Sequence, residues 1–239
     1  MKTIAIILFF YFFGFVGYSQ QSDKWIKSIE FTDSPQNQLK KENRLDLLTV
    51  YNFSKIIIPQ NNFIGFIGSD YKRILMKFDS ARKNNDSTYI ILGSSQVGNN
   101  KCIFNGELII DKVKEFKNYH FGVDSIYTDS AIAFQGILIG HFLIKENIQQ
   151  NSAGKFDGVF TIWFYINSSG LVIYDDINSY SDSYRNNQYV GQWTLYNSNK
   201  SKICNWGEYR IPFSGDLDIG SGGFSVNTKY LNNGWQNYK

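Results

Sequence analysis

Apolar and polar residues alternate in short runs along most of this chain, and the alternation predicts strands rather than helices. In 101–111, Cys102, Phe104, Gly106, Leu108 and Ile110 fall on one face, while Asn105 and Glu107 fall on the other. That period of two marks a strand with one dry and one wet side. Similar runs occupy 72–79, 88–95, 131–145, 158–167, 171–175, 189–197 and 202–211. Two segments, 132–144 and 159–166, are apolar on both faces, which predicts strands covered on both sides. Gly136 and Gly140 share a face with Phe134, Leu138 and Phe142, as a sharp bend in a barrel or curved sheet requires.

Turn chemistry separates the runs. Lys83-Asn84-Asn85-Asp86, Gly98-Asn99-Asn100, Asn167-Ser168-Ser169-Gly170 and Asn197-Ser198-Asn199-Lys200 hold residues that tolerate positive φ. Consecutive antiparallel pairing follows. The expected fold is all-β: an antiparallel barrel or sandwich of about 8–10 strands, meander or Greek key. Ahead of Phe63 the texture differs. Ser34-Pro35 reads as a helix start, and Leu39, Leu47 and Leu48 supply a sparse apolar face, so one short N-terminal helix is expected. The resulting division is a segment 21–62 packing on a β domain 63–239, with a boundary near Pro59; one domain is favoured over two.

The first twenty residues carry only Lys2 as a charge, then an apolar run over 4–13, then Gly14, Gly17, Ser19 and Gln20. This is the pattern of a signal peptide cleaved near Ser19 or Gln20, which implies a secreted or periplasmic protein. The run falls short of the roughly 20 residues that a spanning helix needs, so no transmembrane segment is expected after cleavage. No cysteine lies nearby to accept a lipid.

Loss of Lys2 with the leader lowers the net charge from +3 to +2, and the remaining charges are scattered. Phosphate-backbone binding needs a basic footprint, so nucleic acid is excluded as a partner. Sixteen tyrosines and twenty phenylalanines against three prolines suit pleated, half-buried surfaces. Only Cys102 and Cys204 are present. In an oxidising compartment a bridge between them is the leading reading, and two buried free thiols on separate strands the other.

Common catalytic constellations leave short traces, and H-E-x-x-H, C-x-x-C, G-x-S-x-G and Walker-type loops are all missing. With only His120 and His141, no multi-histidine metal site can form. His141 reads as a packed strand residue. His120, in a loop, is the better candidate for a general base. The S-x-x-K pairs Ser80/Lys83 and Ser152/Lys155 read as turns without supporting motifs. No catalytic residue and no cofactor are assigned. The segment 204–224 concentrates aromatic, charged and glycine residues: Trp206, Glu208 and Arg210 share a strand face as a recognition surface, joined by Tyr209 and Trp193. Asp216 and Asp218 form a fragment of a calcium loop, but Leu217 and Ile219 intervene and the later bidentate glutamate is lacking.

This C-terminal segment, with Val190-Gly191-Gln192-Trp193 and His120-Phe121-Gly122-Val123-Asp124, resembles a family of uncharacterised secreted Bacteroidetes proteins over about Phe63 to Trp235. The resemblance implies export and a single β domain, and carries no activity or site residue. Gly191-Gln192-Trp193 is also similar to the G-x-W of lipocalins, although that motif belongs on the first barrel strand. Three functions remain open. The first is a non-enzymatic binding module for a small apolar molecule, a glycan or a protein, with a pocket lined by Trp163, Trp193, Trp206 or Tyr209. The second is an extracytoplasmic hydrolase using acids among Glu107, Asp175, Asp176 and Glu208. The third is a structural, envelope-associated interaction protein.

Overall fold

A computed structural model describes residues 20–122, 132–198 and 200–238. Residues 1–19 of the expected leader therefore lie outside the described residues, as do Val123 and Asp124, Ala131 at the start of one expected strand, and Asn199 in one expected turn. Nine strands follow one another among the described residues: β1 (Ile64–Ile67), β2 (Lys72–Lys83), β3 (Thr88–Val97), β4 (Asn100–Glu115), β5 (Ile132–Glu146), β6 (Gly154–Asn167), β7 (Val172–Tyr174), β8 (Asn186–Leu195) and β9 (Ser201–Glu208). Every pairing is antiparallel. Each strand from β1 to β6 pairs with the next, β6 pairs with β8, β8 with β9, and β9 returns to β1. The sheet thus closes into a ring of eight strands. The short β7 lies outside this count, because it shares one edge of β6 with β8: Phe164–Ile166 meets β7, and Gly154–Thr161 meets β8. The meander and the barrel are the expected alternatives that the structure realises.

Closure demands strongly coiled strands, and glycine supplies the room. Gly158 faces Gly191 across β6 and β8, and a Cβ on Gly158 would stand 2.2 Å from the Val190 carbonyl oxygen. A Cβ on Gly140 would stand 2.1 Å from the carbonyl oxygen of Ile109. Register shifts at Phe78/Ser80, Ile110/Lys112, Ile132/Phe134 and Asn186/Tyr189 add further bends. β2 runs on past the expected end at Asp79, so that Ser80 and Lys83, read as a turn, belong to the strand.

The interior is packed with rings. Tyr189 stacks on Trp206 at 4.9 Å and 8°, Phe160 stacks on Tyr189 at 5.9 Å, and Phe142 meets Trp206 edge-on at 5.2 Å. Offset-stacked and edge-to-face pairs of this kind add to the burial of apolar area. One end of the ring is sealed by α2 (Asp46–Val50) and α3 (Ser54–Ile57), which together with Phe53 just ahead of α3 place Leu47, Leu48, Phe53, Ile56 and Ile57 in the core. The Tyr89 hydroxyl accepts the Phe53 N–H at 3.1 Å, and Lys83 Nζ donates to the Leu48 and Tyr51 carbonyls. A single helix opened by Ser34 is replaced by a 3-10 turn at Pro35–Asn37 and these two short helices. Leu39 joins Phe116 in an isolated bridge instead of facing a helix.

The longest helix among the described residues, α1 (Gln20–Glu30), was not expected from the sequence. Trp25 packs with Val159 and Val190, and Ile26 and Ile29 pack against Ile137 and Ile139. This cover on the outer wall explains why 132–144 and 159–166 are apolar on both faces. A second outer layer comes from the C-terminal tail, where Trp235, Leu217 and Ile211 bury against Ile64 and Phe66 of β1.

Candidate functional site

At the end opposite α2 and α3, four hairpins bring eight strand termini together, and on five of the strands a residue with a polar group continues the inward alternation. Lys72 precedes Ile74 and Met76; Ser95 follows Tyr89 and Ile91; Glu146 follows Phe142 and Ile144; Trp193 follows Tyr189; Lys202 precedes Cys204 and Trp206. These positions line a cavity of about 190 Å³, whose remaining walls include Ile67, Ile74, Val97 and Phe156.

Glu146 organises this mouth. It is 6 % exposed, and both of its oxygens are taken. Oε1 accepts from Ser95 Oγ; Oε2 accepts the Gly154 N–H at 2.7 Å and the Trp193 indole N–H at 3.0 Å. The Tyr196 hydroxyl donates to its carbonyl at 3.0 Å. A buried carboxylate needs such donors to offset its lost hydration. The arrangement holds the indole of Trp193 fixed against the cavity. Lys72 and Lys202 are exposed at the rim and, among the described residues, have no ion-pair partner.

The expected Cys102–Cys204 bridge is not formed: both are buried, free cysteines. The topology gives the reason. β4 and β9 are four strands apart in either direction round the ring. With strands about 4.8 Å apart, opposite walls of an eight-stranded ring stand roughly 12 Å or more from each other. A disulfide needs Cα atoms within about 7 Å. Burial, and secondarily the charge of Glu146, raises the pKa of both thiols, so neither is an activated nucleophile.

At the sealed end a second polar network is closed off from solvent. Glu208 is fully buried: Oε1 accepts the Asn61 N–H at 2.7 Å, and Oε2 accepts from Tyr174 Oη at 2.6 Å and Asn187 Nδ2 at 3.3 Å. Burial raises its pKa, while these hydrogen bonds pull the other way. Asp175, 2 % exposed, is pushed up to about 6 by burial, although Gln135 Nε2 donates to it at 2.8 Å. Asp176 is half-buried, and Glu107 faces solvent on β4. These four acids share no open cleft, and the buried pair is enclosed by its own donors.

The residues of 204–224 separate. Trp206 is fully buried in the barrel interior, so it offers no exposed recognition surface. Arg210 holds its own loop: Nη1 donates to Asp218 Oδ2 at 2.6 Å and to the Gly220 carbonyl at 2.9 Å, while Nη2 donates to the carbonyls of Ser221 and Gly222. Asp218 Oδ1 accepts the N–H groups of Gly220 and Ser225, each at 3.0 Å. Asp216 accepts from Tyr230 Oη at 2.7 Å and from Lys229 Nζ. With their oxygens on protein donors, these two acids do not fit a calcium site, and among the described residues no group of three or more metal-ligating side chains occurs. Tyr209, at φ 65°, remains half-exposed and accepts from Asn61 Nδ2 at 2.9 Å. Trp163 lies on the outer wall beside His120. His120 donates its backbone N–H to Gln135 Oε1 at 2.6 Å, and burial lowers its ring pKa. His141 lies on the other face of β5 from Phe142, with Nδ1 2.8 Å from Asp111 Oδ2.

Of the expected contact residues, only Trp193 reaches the mouth. Ser95, Glu146, Lys72 and Lys202 were missed, and the available signal was polar identity at core-phase positions near one end of β2, β3, β5 and β9.

The fold and its mouth define a closed eight-stranded antiparallel barrel, sealed at one end and hollow at the other. No protein-family model matches the chain, and neither a curated protein nor a solved structure shows significant similarity to it. Among the described residues, no helix is long and apolar enough to cross a membrane.

Proposed function

We propose that this chain is a non-enzymatic binding protein that holds a compact, partly apolar anion in the mouth of its barrel. The observation that carries this reading is the cavity of about 190 Å³, walled by Trp193, Phe156, Ile67, Ile74 and Val97, with Lys72 and Lys202 at its rim and without ion-pair partners among the described residues. A dry apolar cavity of about 150 Å³ accommodates benzene, so this volume suits a single ring or a short branched chain. Apolar walls with a few convergent polar groups are the usual composition of a ligand site. Glu146 has its lone pairs on Ser95, Gly154 and Trp193, which leaves the lysines to meet an anionic group. Its charge opposes one of them, so a single negative charge is favoured. The apolar leader at 4–13 supports export, with the barrel acting outside the cytosol.

The test is calorimetric titration with benzoate, phenylacetate and isovalerate. Val97→Phe fills the cavity and should abolish binding while the thermal midpoint changes little. Replacement of both Lys72 and Lys202 by Gln should weaken binding at least about tenfold, the loss of roughly 1.4 kcal/mol. Undiminished affinity in the Val97→Phe protein would place the ligand elsewhere.

A further inference from the structure

A second concavity runs along the outside of the barrel, independent of the mouth. One part, about 430 Å³, lies between the 179–184 loop, Tyr209 and Phe224; the other, about 700 Å³, crosses the outer wall of β2 and β3. Both are lined by Asn61, Asn62, Ile64 and Tyr238, so they meet in one elongated cleft. Its walls combine two kinds of side chain. Tyr180 is 97 % exposed, Tyr209 is fixed edge-on against Tyr184 at 4.8 Å, and Tyr238 is held by Phe224 at 5.2 Å and by the Arg73 guanidinium at 5.2 Å. The walls also hold Asn62 and Asn237, neither with a side-chain hydrogen-bond partner among the described residues. The carboxylate of Asp182 has no ion-pair partner among them either.

We infer that this cleft binds a linear oligosaccharide. A pyranose presents an apolar C–H face to an aromatic ring and a rim of hydroxyls that each donate and accept. Amides and carboxylates answer those hydroxyls, because an amide carries both donors and an acceptor on one plane. Tyrosine adds flat contact area at little cost in side-chain entropy. Tyr209 keeps its ring in the wall from a left-handed backbone conformation that non-glycine residues adopt rarely, stabilised by the Asn61 amide on its hydroxyl. Addition of an extended peptide is the competing mode, because β1 pairs with β2 only at Lys72 and Arg73 and leaves the β2 edge from Ile74 onward free on that side; the rings and polar groups at the 179–184 end, which no β2 residue lines, favour a sugar chain instead. The length of the cleft, two concavities end to end, calls for several sugar units rather than one. At the β2–β3 end, Arg73 and Lys101 lie without ion-pair partners among the described residues, which favours a chain carrying uronic acid there.

The experiment is calorimetric titration of the full chain with hexasaccharides of glucose, xylose, mannose, N-acetylglucosamine and galacturonic acid, each with its disaccharide. At least one hexasaccharide should bind, and at least about tenfold more tightly than its disaccharide. Tyr180→Ala, which removes a ring with almost nothing packed on it, and Asn62→Ala should each weaken that binding by about tenfold with an unchanged thermal midpoint. Val97→Phe, in the mouth, should leave it unaltered, so this inference and the mouth reading fail separately. No binding by any of the five hexasaccharides, or binding that survives the Tyr180→Ala/Asn62→Ala double substitution, would overturn the assignment.

Discussion

Asp175 shows how burial turns one carboxyl into a pH sensor. It is sealed beneath the β6–β7 corner, with Gln135 Nε2 and the Ile177 N–H as its donors, and its pKa rises from 3.8 to about 6. A folded-state pKa above the unfolded one means that the native protein binds the proton more tightly. The associated stability is fully present below about pH 4 and is lost as pH rises through about 6. A rise of that size corresponds to about 3 kcal/mol. Glu208 is shifted in the same direction, also by burial, and adds to the trend. Urea unfolding of the wild type between pH 4 and 7 should therefore show a decline from these groups that Asp175→Asn makes shallower. An Asp175→Asn slope identical to that of the wild type would contradict the assignment. At this scale the sequence was half legible. The inward phase of Glu208 could be read from Cys204 and Trp206, four and two residues before it. That its carboxylate would be closed off by Asn61, Tyr174 and Asn187 could not, because those partners come from three other parts of the chain.

At the scale of elements, period and turn chemistry located eight of the nine strands, since alternation is a local property. β1 is only Ile64–Ile67, buried at every position, and so shows no alternation to detect. α1 was hidden for a different reason. Its apolar stripe is Trp25, Ile26 and Ile29 within a polar sequence, and its stability comes from docking on Val159, Val190, Ile137 and Ile139, not from its own propensity. Gly136 and Gly140 of β5 were legible as bend positions, whereas the close approach at Gly158 and Gly191 was not, and two glycine substitutions set a sharp contrast. Gly158→Ala puts a Cβ 2.2 Å from the Val190 carbonyl oxygen, against backbone that cannot yield, and should cost about 3 kcal/mol or cause failure to fold. Gly223→Ala meets nothing within 4 Å and should stay within about 0.5 kcal/mol of wild type. Thermal unfolding of the two variants checks both, and equal effects would show that β6 and β8 are not so closely opposed.

For the whole molecule, what matters is closure, and closure was not legible. Barrel and sandwich share the same strands and turns; they differ in whether β9 returns to β1 and β5 lies beside β6, and such long-range pairings leave no local trace. Closure places Cys102 and Cys204 on opposite walls, fills the middle with stacked Tyr189 and Trp206, and leaves the mouth as the hollow part of the barrel interior. The most direct test of the mouth as a ligand site is a two-dimensional ¹H–¹⁵N spectrum of the indole N–H signals during titration with benzoate, assigned with Trp193→Phe. The account predicts that the Trp193 signal, whose N–H is bonded to Glu146, moves in proportion to occupancy, while that of Trp206 in the packed interior stays in place. A saturating titration that leaves the Trp193 signal unmoved, or moves it equally in the Val97→Phe protein, would contradict it.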